Sequence, residues 1–91
     1  MQPFLSIIIP SFNESENLSK GVLDEVEKYL SYQKYQWEII LVDDGSTDRT
    51  ADDLQKIIKG KKNWRLIKSS HQGKAQTVKA GIMEAAGNFV L

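Results

Sequence analysis

Apolar and polar positions alternate along this chain between a strand period and a helix period. Residues 5–9 form a short apolar run that stops at Pro10, which has no amide proton to continue a ladder, and predict a first strand. From residue 16 to about residue 32, Leu18, Val22, Val26 and Leu30 recur every four positions, with Leu23 widening the stripe of an amphipathic helix. Asn13 or Ser15 is placed to cap it, and Asn13 with Glu16 has capping-box spacing. A second strand is expected over residues 37–42. Ser46 or Thr47 would then cap a helix that turns Ala51, Leu54, Ile57 and Ile58 inward and stops at Gly60. A third strand over residues 64–67 follows a basic turn at Lys59, Lys61 and Lys62. The last helix, about 74 to 86, carries Ala75, Val78, Ile82 and Ala85 on one face, and its small inward residues suit close approach to a sheet. Asn88, Phe89, Val90 and Leu91 begin a fourth strand.

The order β-α-β-α-β-α-β predicts an α/β fold, a Rossmann-like parallel sheet with flanking helices and right-handed crossovers. A strand order of 3-2-1-4 would set the switch point between strands one and four, and ligands of open α/β sheets bind beyond the carboxyl ends of strands at such a point. The polar loops that follow Ile9 and Val42 both open on that edge.

Length and composition narrow the class. At 91 residues and 41% hydrophobic content, one small domain with one core is feasible. Twelve basic residues balance twelve acidic ones, which argues against a nucleic-acid or polybasic membrane-binding surface. The absence of cysteine excludes disulfides, thiolate metal sites and cysteine nucleophiles, and fits a reducing, cytoplasmic location. No apolar run approaches the ~18 residues of a membrane span. Domains rarely stop inside a central strand, so residues 1–91 read as one subdomain, a C-terminally truncated fragment of a larger domain. Its uncovered sheet edge predicts self-association.

Three loops carry candidate chemistry. Asp43 and Asp44 end the second strand, where two adjacent carboxylates are expected to face solvent or a ligand, with Gly45 turning the backbone beneath them. Helix capping and ligand binding are both open for them. Asn13 and Glu14 beside Pro10 could hydrogen-bond the ring edge or ribose of a nucleotide, or cap the first helix. In the loop of His71, Gln72, Gly73 and Lys74, the glycine permits close approach to a ligand. Lys74 at a helix start opposes the helix dipole, which fits a bound phosphate, a pairing with Asp44 or plain solvation. His71 receives no role. The dinucleotide, Walker and Gly-x-Ser-x-Gly motifs are all missing.

Taken in order, Ile7-Ile8-Ile9-Pro10-Ser11-Phe12-Asn13-Glu14, Leu41-Val42-Asp43-Asp44-Gly45-Ser46-Thr47-Asp48, Gly73-Lys74-Ala75, Ala80-Gly81 and Ala86-Gly87-Asn88 resemble the opening of family 2 glycosyltransferases, over essentially the whole chain. The branch that transfers sugars to dolichyl or polyprenyl phosphate is the most similar. Ala75 departs from the pattern where a second glycine is common, as does Ser69-Ser70-His71 in place of a basic-Asn tract. The resemblance implies the N-terminal half of a GT-A fold that binds a UDP- or GDP-sugar. Pro10, Ser11 and Glu14 would line the nucleoside pocket, Asp43 and Asp44 would approach base and ribose, and Lys74 would lie near base or diphosphate. It also implies that the Asp-x-Asp motif for Mg²⁺ or Mn²⁺, the catalytic base and the acceptor site, for a polyprenyl phosphate or a glycan, lie beyond Leu91, so that residues 1–91 alone are inactive. In the complete protein this would be a hexosyltransferase at the cytoplasmic membrane face. The rival expectation is a non-catalytic α/β binding or assembly module.

Overall fold

Ile39, Ile40, Leu41 and Val42 offer apolar side chains to both faces of any strand they form, so that strand has to be covered on both sides. In the computed structural model, which describes residues 3–13, 21–71, 73–87 and 89–90, all four are fully buried. They belong to β2 (Trp37–Asp44), an inner strand between β1 (Leu5–Ser11) and β3 (Trp64–Ser69). With β4 (Phe89–Val90) the sheet has the order β3-β2-β1-β4, and every pair is parallel. The helices are α1 (Val22–Ser31), α2 (Thr50–Ile58) and α3 (Lys74–Glu84). The expected α/β class and strand order are both present.

Alternation along the strands sorts the helices. Leu23 and Leu30 of α1 and Leu54 of α2 form the core with Ile39, Leu41 and Trp64, with Ile7, Ile9 and Leu66 packed against it. The opposite pleat carries Ile8 and Val42, and α3 lies on it. A Cβ added at Gly81 would overlap Ile8 Cγ2 and stand 3.2 Å from Val42 Cγ2. Alanine usually favours a helix over glycine by about 1 kcal/mol, but here the close approach to the sheet overrides that preference. Small residues do bring the last helix onto the sheet, as expected, yet the face is Thr77 and Gly81. Ala75 is exposed and Ile82 is 49% exposed, because the apolar count selected a face rotated from the packed one.

Other boundaries shift for local reasons. β1 runs through Pro10 to Ser11, because its described pairing with β4 is confined to Leu5 and Ser6. One side of β1 at Pro10 therefore has no described ladder to interrupt, where a missing N–H is tolerated. β2 continues to Asp44 and β3 to Ser69, paired as Asp43 with Lys68 and Asp44 with Ser69. The described part of the first helix runs from Val22, which Gly21 precedes with φ 78°, and the expected start at 16 lies outside the described residues. Val22 is 51% exposed, so the buried stripe is Leu23, Val26 and Leu30. Leu18, Ser15 and Glu16 lie outside the described residues. Neither Ser46 nor Thr47 caps α2; Asp48 Oδ1 accepts the Thr50 N–H at 2.9 Å and the Thr50 hydroxyl at 2.5 Å. Asn88 and Leu91 of the expected fourth strand also lie outside the described residues.

At the amino ends of the strands, a buried carboxylate ties β4 to the sheet. Glu38 Oε2 accepts the Ser6 hydroxyl at 2.5 Å and the Ala86 N–H at 2.7 Å, while Arg65 Nη2 reaches Glu38 Oε1 at 3.1 Å. Ser6 Oγ accepts the Gly87 N–H at 2.8 Å, and Arg65 also donates to the Glu84 carbonyl at the end of α3. Burial pushes the Glu38 carboxyl up, but the bonds from Ser6 and Ala86 and the Arg65 charge outweigh it and hold the group below its ordinary value.

Candidate functional site

The carboxyl ends of β1 and β2 stand side by side because Ser11 pairs with Asp43. Asn13 then joins the loops that follow. It adopts φ 51°, a left-handed conformation that Asn tolerates better than most residues. Its N–H donates to Ser46 Oγ at 2.9 Å, and its Oδ1 accepts the Thr47 N–H at 2.8 Å. Asn13 therefore binds the acidic loop together, where the sequence suggested a helix cap or a ligand contact. Gly45 is required twice: it has φ 70°, and a Cβ there would come within 2.6 Å of His71 N.

Asp43 and Asp44, expected to face solvent or a ligand, are only 4% exposed, so neither stands in open solvent, and Asp44 faces a cleft. Their burial is compensated by donors on opposite sides, as alternation in a strand demands. Asp43 accepts the Ser46 hydroxyl at 2.5 Å and the Ser46 N–H at 3.3 Å. Asp44 Oδ2 accepts the Gly73 N–H at 3.2 Å and lies 3.0 Å from His71 Nδ1, which is also 3.1 Å from the Asp44 carbonyl oxygen. The His71 ring stacks on Phe12, with centroids 4.3 Å apart and planes at 27°.

These contacts enclose a cleft of about 550 Å³ lined by Pro10, Ser11, Phe12, Asp44, His71, Gly73, Lys74 and Thr77. Of the residues singled out from sequence, the fold brings Pro10, Ser11, Asp44 and Lys74 together on this cleft. Asp43 does not line it, and Glu14 lies outside the described residues. Lys74 is exposed and forms no ion pair with Asp44 or any other described residue. It opens α3, whose first turn has no acidic residue and no side-chain cap, leaving an electropositive helix end at the cleft. Thr77 supports that turn, its hydroxyl donating to the Gly73 carbonyl at 2.8 Å.

Phe12, His71 and Thr77 escaped sequence reasoning. An aromatic residue within a polar loop was the available signal for Phe12. His71 had none, since it meets Asp44 only through the β2–β3 pairing. Divalent ions need several oxygen ligands around one point. Asp43 and Asp44 point to different partners, and no group of three potential metal ligands occurs among the described residues, so these residues do not fit a metal site. Nor, among the described residues, is any helix long and apolar enough to cross a membrane.

Comparison with known proteins places this geometry. The dolichyl-phosphate beta-glucosyltransferase of Saccharomyces cerevisiae is 38% identical over 98 residues, covering 97% of this chain and 28% of the relative. Dolichyl-phosphate beta-glucosyltransferase ALG5D of Trichomonas vaginalis is 36% identical over 96 residues, covering 99% of this chain and 29% of the relative. The chain thus spans under a third of these relatives' length. Among solved structures, the mannosyltransferase PcManGT of Pyrobaculum calidifontis, in complex with GDP-Man and Mn²⁺, superposes with a TM-score of 0.79 at 25% identity, over 99% of this chain and 26% of that one. TarS 1-349 of S. aureus in complex with UDP-GlcNAc gives a TM-score of 0.77 at 26% identity, over 96% and 25%. The family model described as glycosyl transferase family 2 matches residues 6–91, and with an α/β sheet that superposes on glycosyltransferases the chain belongs to that family.

Proposed function

We propose that this chain is the donor-nucleotide part of a sugar transferase, holding the nucleoside diphosphate of a UDP- or GDP-sugar at the carboxyl edge of its sheet. The observation that carries this is the single cleft on which Pro10, Ser11, Asp44 and Lys74 converge. A nucleoside needs a few placed polar groups on a largely apolar wall. Pro10 and Phe12 offer apolar surface, Ser11 and Asp44 polar groups, and Lys74 with the first turn of α3 a positive end suited to a diphosphate. Glu14 is assigned to the nucleoside side as well, and Asp43 to the neighbourhood of base and ribose, through the loop it holds.

The likeness to dolichyl-phosphate glucosyltransferases supports a polyprenyl phosphate as the acceptor in the complete protein and a place of action at a membrane face. A divalent ion, as in the GDP-Man complex of the mannosyltransferase, would be held by residues outside this chain. Calorimetry with UDP and GDP tests the proposal. Weak binding to residues 1–91 is expected, unchanged by Mn²⁺, with a marked Mn²⁺-dependent gain in a longer form of the protein. Failure of both nucleotides to bind either form would overturn the proposal. A metal-dependent gain in the short chain would make Asp43 or Asp44 a metal ligand and refute the assignment of these carboxylates.

A further inference from the structure

His71 is the single histidine of the chain, and neither its sequence context nor the family resemblance gave it a task. Its Nδ1 stands between two acceptors, Asp44 Oδ2 at 3.0 Å and the Asp44 carbonyl oxygen at 3.1 Å. A nitrogen flanked by acceptors has to carry the proton, so the uncharged ring is the Nδ1–H tautomer and its Nε2 is an acceptor. The side chain is 59% exposed, so burial does not hold it in place. Stacking on Phe12 does, and so does backbone packing against Gly45, where any Cβ would collide with His71 N.

The carboxylate it meets lines the cleft. With the Gly73 N–H at 3.2 Å on the same oxygen, Asp44 Oδ2 receives two donors from the loop after β3. Two directed donors on one oxygen restrict rotation of the carboxylate, as partners behind a ligating group generally do. We infer that His71 is a positioning residue that orients the Asp44 carboxylate in the cleft for a nucleoside diphosphate, an inference that rests on the donor-binding reading. Phe12 holds the imidazole, the imidazole holds Asp44, and Asp44 meets the ligand.

Two readouts test this, one of them independent of any ligand. Because the chain has one histidine, long-range ¹H–¹⁵N correlation at alkaline pH reports its tautomer without ambiguity. The Nδ1–H form is expected in the wild-type chain, and Asp44→Ala, which removes one of the two acceptors and keeps the backbone carbonyl, should raise the Nε2–H share in part. UDP and GDP affinities are then compared across His71→Asn, His71→Phe and His71→Ala, with melting temperatures to separate loss of folding. Asn sets an amide donor near the Nδ1 position, whereas Phe keeps the stack and loses the donor. His71→Asn should bind within about twofold of wild type, and His71→Phe and His71→Ala should each lose about tenfold. An Nε2–H wild-type ring, or His71→Phe binding as tightly as wild type, would overturn the inference. If neither nucleotide binds while the Nδ1–H ring is present, the donor-binding reading fails and the His71–Asp44 unit stands. Binding that no His71 variant alters would remove the positioning role and leave the donor reading intact.

Discussion

Asp43 and Asp44 show how one residue type at neighbouring positions acquires separate tasks. The strand period sends the two carboxylates to opposite sides, so Asp43 organises the loop of Ser46 and Asn13 while Asp44 lines the cleft with His71. Both acids stand out in the sequence because charge at the end of an apolar strand is costly unless it is bonded. Their division of labour is not legible there, since it depends on which way each side chain leaves the strand. Asp43→Ala should therefore act on stability. It removes the acceptor of two bonds from a buried site, at a cost of about 1–3 kcal/mol. Urea denaturation would show the lowered midpoint, and Asp43→Asn, which keeps an acceptor oxygen, should recover part of it. A midpoint unchanged in Asp43→Ala would rule out this role.

At the level of elements, the connection from α3 into β4 depends on Glu38. Its carboxylate collects donors from β1, from β3 and from the turn after α3, contacts separated by up to 48 residues in sequence. Nothing in the pattern around Glu38 marks it, because an acid near the start of a strand reads as an ordinary solvated end. The group's value is depressed on folding, so its stabilisation is fully present above the unfolded value, about 4.5, and is lost as pH falls through the lower folded value. Stability measured by denaturant should hold from neutrality to about pH 5 and decline below it. Glu38→Gln should cost about 2 kcal/mol at neutral pH, since the amide keeps one acceptor oxygen and sets an NH2 donor where the other accepted, and should flatten the acid decline. An acid limb identical in wild type and Glu38→Gln would refute this. Arg65 is 43% exposed, so its ionic share is screened and the hydrogen bonds carry most of the effect.

Across the whole molecule, one face of the sheet is unevenly covered. Leu5, Ile7, Val22, Val26, Tyr29, Leu30 and Tyr35, with Glu25 as the one charged member, line a second, open groove of about 560 Å³, and Phe4, Val22, Tyr29 and Tyr32 are exposed. Beside it, β1 beyond Ser6 has β2 as its single described partner strand. Open strand edges next to apolar surface recruit other chains. Residues 1–91 should accordingly sediment with a coefficient that rises with concentration. Val22→Lys, which sets a charge in the groove at a position already exposed, should weaken the association without lowering the melting temperature. A concentration-independent monomer would count against this expectation.

The order of elements, the parallel α/β class and the edge on which the cleft forms are all legible in the residues alone. Unbroken apolar runs allow only buried strands, and polar loops after them must collect at one end of a parallel sheet. The sequence also marks four residues that meet on the cleft, because Pro10, Ser11, Asp44 and Lys74 each sit where a strand ends or a helix begins. Which face α3 presents, how far β1 and β2 extend, and what Asn13, Glu38 and His71 do are settled by packing between distant segments. Each of those depends on a neighbour distant in the chain: Gly81 on Ile8, Asn13 on Ser46 and Thr47, Glu38 on Ala86, His71 on Asp44. Local periodicity carries the preferences of single elements. Partners across a sheet are set by strand order and register, which exist only once the chain has folded.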